Sequence, residues 1–265
     1  AFGLLSMGMA GAVYAQKGPL EIYDVKTGSS VIVYANNHEL YPFTVTLDIQ
    51  YEGLKPADPL SKYVVVPGKG EKIMIAKFIK PYNRRWKISY NFQYMEGDFN
   101  AEHDGDYEYQ LPFESGKSYS MTQGYNGKAT HQGINALDFT MPKGETILAA
   151  REGTVVKVKE DSNRGCPSMR CAEYGNFVRI LHSDGTMADY YHLQKNGATV
   201  NPGDVIQKGQ AIGKCGETGF VSGPHLHFIV FKTDGIKQIS FKTKFEFASG
   251  QVGFLKTGTR YSAFK

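Results

Sequence analysis

Apolar and polar positions alternate in short runs along most of the chain. In the first hundred residues, the runs 30–35, 43–49, 72–78 and 86–92 are rich in Val, Ile, Tyr and Phe and recur close to every second position. That period places one side of each run on a core and the other toward water, as in a β-strand. Turn signals separate them: Asn36-Asn37, Pro67-Gly68-Lys69-Gly70 and Asp104-Gly105-Asp106. Strands at this spacing predict an antiparallel β-sandwich over residues 16–115. After a junction at 111–117 the strands become Gly-punctuated, with candidates at 146–150, 154–159, 176–182, 186–192, 205–206, 211–212 and 226–231. The tail 239–247 adds one or two more. No stretch holds a helical period. The chain therefore reads as all-β, with a sandwich over 16–115 followed by a second β domain over 116–265.

Composition narrows the class. A chain of 265 residues with 30 Gly, 17 Tyr and 16 Phe suits a β protein with ample core. Formal net charge is only +4 and no basic run occurs, so nucleic acid is not expected as a partner. A mildly cationic surface suits an anionic polymer such as a bacterial wall. Residues 1–15 are apolar, rich in small side chains and free of charge. They read as the remnant of a secretory signal peptide cleaved after Ala15, too short to span a bilayer. An exported product, periplasmic or extracellular, monomeric and without a membrane span, is the expectation. In that setting Cys166 and Cys171, with four residues between them, form a candidate loop-stapling disulfide. Cys215 is expected as a buried free thiol, although three cysteines leave the pairing open.

The chemistry gathers late in the chain. His225 and His227 flank Leu226 in Gly223-Pro224-His225-Leu226-His227-Phe228, so a strand there projects both imidazoles from one face. Two imidazoles on one face are a weak metal signal until further ligands appear. Upstream lie His192, in Asp189-Tyr190-Tyr191-His192-Leu193, and the pair His131 and Asp138. His131, Asp138 and His227 would supply three ligands to zinc with an open fourth position, leaving His192 and His225 free to move protons.

These residues and their surroundings resemble the lysostaphin-type (LytM-like) zinc metallopeptidases. The likeness spans about Tyr125 to Phe231. It includes Asp138-Phe139-x-Met141-Pro142-x-Gly144, Ala149-Ala150-Arg151-x-Gly153-x-Val155 and Gly203-Asp204-x-Ile206-x-x-Gly209-Gln210-x-Ile212-Gly213. The resemblance implies a LytM-like antiparallel β-sheet domain with one Zn²⁺ on His131, Asp138 and His227. It implies His192 and His225 as catalytic assistants, and Tyr125 as donor to the tetrahedral oxyanion. The implied substrate is peptidoglycan, cut in its cross-bridges or stem peptides. One departure stands out: Asp138 follows His131 by seven residues, where many family members place it four residues on.

Other polar residues have simpler readings. His38 and His103 are expected at the surface or in turns, His182 in a structural role, and Asp189 as a solvated strand acid. Asn135 is a candidate for the cleft wall. Two other functions fit the same resemblance: a non-catalytic module that binds wall or a regulatory partner, and an endopeptidase acting on Gly-rich extracellular proteins.

Overall fold

The computed structural model describes residues 18–247 and 250–263; the expected signal peptide at 1–15 lies outside them. The regular structure of the described chain is almost entirely strand, and its one helical element is the 3₁₀ turn Met169–Tyr174. It divides into two compact units, 18–99 with Thr233–Lys237, and Asn100–Lys232 with 238–247 and 250–263.

The first unit contains two antiparallel sheets. One orders Leu20–Lys26, Ser30–Asn37, Ile73–Ile79 and Lys55–Pro56; the other orders Tyr63–Val66, Phe43–Glu52 and Lys87–Glu96. Val31, Val33, Phe43, Val45 and Phe78 are fully buried, as alternation along their strands requires. Tyr51 meets Phe78 between the sheets, ring centroids 4.9 Å apart.

In the second unit an antiparallel sheet runs through Val205–Ile206, Gly153–Lys159, Phe177–Leu181, Met187–Tyr191, Leu226–Thr233, Ala136–Phe139, Ser118–Gln123 and Arg260–Ser262. Its core gathers Leu137, Phe139, Tyr190, Leu226, Phe228 and Phe245. The chain enters this unit earlier than the junction expected at 111–117. Tyr109, Leu111 and Phe113 are wholly buried in its core, so residues 100–115 belong to it. Three buried aromatic or aliphatic side chains outweigh the Pro and Gly punctuation that marks the later boundary. Short strands carrying few apolar residues, such as Ser118–Gln123 and Leu193–Ala198, have no clear period and escape sequence reading.

Candidate metal centre

Strand register builds the site. In Leu226–Thr233 the side chains of Leu226, Phe228 and Val230 enter the core, which turns His227 to the opposite face. Asp138 sits directly across from His227 on the neighbouring strand, Gln123 across from Asp138 on the next, and Tyr191 across from His227 on the far side. Gln123, Asp138, His227 and Tyr191 thus form one row over four antiparallel strands, with directly opposed Cβ atoms about 5 Å apart. His131 reaches the row from the turn ahead of Ala136–Phe139. There the Ile134 N–H donates to the His131 carbonyl at 2.9 Å, and Gly133 takes a positive φ of 71°. This hydrogen-bonded turn absorbs the longer spacing between His131 and Asp138 and returns the carboxylate to the row.

Three ligand-type atoms converge. His227 Nδ1 lies 2.9 Å from Asp138 Oδ1, His131 Nε2 lies 3.2 Å from His227 Nδ1, and His131 Nε2 lies 3.3 Å from Asp138 Oδ1. Zinc bonds of about 2.0–2.1 Å in a tetrahedron place ligand atoms about 3.3–3.4 Å apart, so this triangle has the size of one tetrahedral face. His131 Nδ1–H donates to the Gly124 carbonyl at 3.1 Å, which fixes the tautomer and leaves the Nε2 lone pair facing the triangle. The second carboxylate oxygen, Oδ2, accepts from Gln123 Nε2 at 2.9 Å. His131 and Asp138 are 1 % and 8 % exposed, and no Lys or Arg pairs with Asp138 among the described residues. Burial pushes the Asp138 carboxyl up, but hydrogen bonds and charge from His131 and His227 outweigh it and hold it well below the usual range. An anionic carboxylate and two imidazole nitrogens facing one point fit a divalent cation.

Two further histidines flank the triangle. The imidazoles of His192 and His225 lie 4.5 Å apart between centroids, and His225 Nε2 is 3.9 Å from Asp138 Oδ1. Each donates its Nδ1–H to a backbone carbonyl, His192 to Thr218 at 2.7 Å and His225 to Gly223 at 2.9 Å. Both Nε2 lone pairs are therefore available. His192 follows the last residue of Met187–Tyr191 with φ 71°, a strained conformation for a residue with a Cβ. The Asn176 carbonyl holds it there by accepting from the His192 N–H at 2.8 Å. Burial, with the neighbouring His225 and His227, pushes the His192 imidazole down to about 3.

Residues 130–239 match peptidase family M23. The chain carries an M23 peptidase domain. Over 171 residues it is 30 % identical to an uncharacterised metalloprotease of Buchnera aphidicola, covering 61 % of this chain and 41 % of the relative. It is 36 % identical over 94 residues to the peptidoglycan DD-endopeptidase ShyA of Vibrio cholerae, covering 36 % of this chain and 19 % of ShyA. Lysostaphin of Staphylococcus simulans is 31 % identical over 130 residues, 48 % of this chain and 23 % of lysostaphin. The chain thus spans less than half the length of these relatives. Among solved structures, the lysostaphin catalytic domain aligns at 29 % identity and a TM-score of 0.33, covering 44 % of this chain and 80 % of that one.

Tyr125, ahead of the matched segment, stands apart from the role expected of it. Its hydroxyl donates to the Thr243 carbonyl at 2.7 Å and accepts the Thr243 N–H at 3.3 Å, so its proton is not free for an oxyanion. Asn135 likewise spends its side-chain amide on the Ser240 carbonyl, at 2.9 Å. Asp189 is buried rather than solvated, in a two-point pair with Arg179 (2.6 and 2.8 Å) directly across the strands. His103, half-buried in the loop ahead of the Gly105 turn, stacks on Phe241, 4.5 Å between centroids. Cys166 and Cys171 are disulfide-bonded, and Cys215 is a buried free thiol. Sequence reasoning missed Gln123, Asn176 and Thr218. Gln123 ends an alternating polar strand with no mark of its own, and Asn176 and Thr218 act through partners far along the chain.

Proposed function

We propose that this chain is a zinc metalloendopeptidase that hydrolyses peptide bonds in peptidoglycan cross-bridges or stem peptides. The observation that carries the reading is the triangle of His131 Nε2, Asp138 Oδ1 and His227 Nδ1 inside an M23 domain, with two imidazole lone pairs beside it. Zinc, held by these three side chains, supplies Lewis acidity that polarises a scissile carbonyl and makes water nucleophilic near neutral pH. The chain's own residues do the rest. Gln123 holds Asp138 Oδ2, which leaves Oδ1 aimed into the triangle. His192, kept neutral by burial, offers its Nε2 lone pair as an acceptor that orients the attacking water. His225, with its Nε2 on the Asp138 side, takes the proton and returns it to the leaving amine. Tyr125 joins only if substrate draws its hydroxyl away from Thr243.

Peptidoglycan as substrate is supported by the names of the relatives: ShyA is a peptidoglycan DD-endopeptidase, and ALE-1 of Staphylococcus capitis, 34 % identical over 106 residues, a glycyl-glycine endopeptidase. Action at the wall requires export, which residues 1–15 are proposed to direct. No helix among the described residues is long and apolar enough to cross a membrane. The test is mass spectrometry of fragments released from purified peptidoglycan by the zinc-supplied chain. New peptide termini, absent with His227→Ala, are expected. Zinc bound with neither wall peptides nor Gly-rich protein cleaved would overturn the reading.

A further inference from the structure

A cavity of about 500 Å³ is walled by Lys143, Asn163, Gln194, Lys195, Glu217 and Thr218, the last of which is hydrogen-bonded to His192. Its walls lie near the site residues in the chain. Lys143 follows the Asp138 strand, Gln194 and Lys195 follow His192, and the Thr218 carbonyl is the acceptor that orients His192. The Thr218 hydroxyl also donates to the Leu193 carbonyl at 2.7 Å, so this wall and the His192 backbone move together. Gly216 makes the close fit possible. A Cβ there would lie 2.2 Å from the Gln194 backbone nitrogen.

The side chains around this cavity are unspent. Among the described residues, Lys143, Asn163, Gln194, Lys195 and Glu217 make no side-chain hydrogen bond or ion pair. Two other lysines of this unit are engaged: Lys214 donates to Thr146 at 3.0 Å, and Lys117 pairs with Glu145 at 3.5 Å. Two free ammonium groups, two free amides and one carboxylate thus face a space large enough for several peptide atoms. The balance of formal charge inside it is positive.

We propose that this cavity is a substrate subsite for a peptide carboxylate, held by Lys143 and Lys195 beside the scissile bond. The inference rests on the peptidase reading and adds to it a substrate class: peptides bearing a free carboxylate near the bond cut. The amides of Asn163 and Gln194 bind the peptide backbone next to that carboxylate. Glu217 repels a second negative charge, so its removal acts opposite to removal of either lysine.

Two wall-type peptides, identical except that one carboxylate is amidated in the second, test this on the full zinc-supplied chain. The carboxylate peptide should be cleaved with a kcat/KM about tenfold higher than the amide peptide. Lys143→Gln and Lys195→Gln should each lower that preference about threefold, and Glu217→Gln should raise it about twofold, with zinc content unchanged. Calorimetric binding of the same pair to the full chain, zinc removed by chelator, should follow the same order. Equal handling of the two peptides by the wild-type chain in both measurements, or a preference that ignores the lysines, overturns the subsite. Lysine-dependent preference in binding with no cleavage of either peptide upholds the subsite and sinks the peptidase reading instead.

Discussion

Two buried polar clusters in the M23 unit use much the same residue types to opposite ends. Around Asp138, two imidazole nitrogens crowd a carboxylate oxygen within 3.3 Å and no Lys or Arg pairs with it among the described residues. Around Asp184, Arg151 Nη1 donates to the carboxylate at 2.6 Å, and its guanidinium lies over the Tyr107 ring at 4.3 Å. The Asp184 carboxylate also accepts from the Thr186 N–H and hydroxyl, at 2.9 and 2.6 Å. His182 completes that region by donating Nδ1–H to the Glu152 carbonyl at 2.7 Å. The second cluster carries its own cation, so it is a structural ion pair. The first has no such cation among the described residues. Charge balance, rather than the presence of His and Asp, separates a metal site from a buried network.

Removing a residue from each cluster should separate their roles. His227→Ala should abolish zinc binding and lower wall-peptide cleavage by at least about a thousandfold, while the chain stays folded, as circular dichroism and metal analysis would show. Arg151→Ala should do the reverse. It leaves the half-buried Asp184 carboxylate without its cation, so stability should fall by about 2–3 kcal/mol in denaturant titration with zinc stoichiometry intact. Loss of zinc from Arg151→Ala would erase the distinction.

Acid should reach the structural cluster as well. Burial pushes the His182 imidazole down to about 4 from its ordinary 6.5, so the unfolded chain binds the proton more readily. Its contribution is therefore full above about pH 6.5 and is lost as pH falls toward 4, on the order of 3 kcal/mol. Asp184, held at about 2 despite the upward push of burial by its bonds to Thr186 and Arg151, adds a loss beginning below about pH 4. A His182→Gln chain whose stability falls as steeply between pH 6.5 and 4 would rule out that assignment.

Smaller effects sharpen the metal side. Gln123→Ala frees Asp138 Oδ2 and should weaken zinc about 10- to 100-fold in a competition titration, with melting of the metal-free chain little changed. Reducing Cys166–Cys171, or replacing Cys166 by Ser, should cost about 2 kcal/mol of stability. The same change should lower activity, because the disulfide loop is tied to the segment that orients His192. Cys166 pairs in register with Phe220, and the Gly219 N–H donates to the Arg164 carbonyl at 2.8 Å. Unchanged melting and unchanged turnover would remove the loop from the picture.

Much of the centre was legible in the sequence because its parts are local patterns. The alternation of Leu226, His227 and Phe228 reveals which face His227 takes, and the position of Asp138 beside the apolar Phe139 places it on a strand. What was hidden depends on pairings far apart in the chain. Gln123 acts because register sets it across from Asp138, and Tyr125 is occupied because the Thr243 carbonyl, over a hundred residues on, accepts its hydrogen bond. Asp189 looked solvated until Arg179 proved to face it across the strands. The unit boundary moved for the same reason, since burial of Tyr109, Leu111 and Phe113 is decided by tertiary packing and not by the Gly and Pro beside them.

Zinc stoichiometry of the purified chain and of its Asp138→Ala variant, read by elemental mass spectrometry, tests the centre most directly. One zinc per wild-type chain and none in the folded variant is the predicted result. Full zinc retention by Asp138→Ala, or a folded wild-type chain that takes up no zinc, would contradict it.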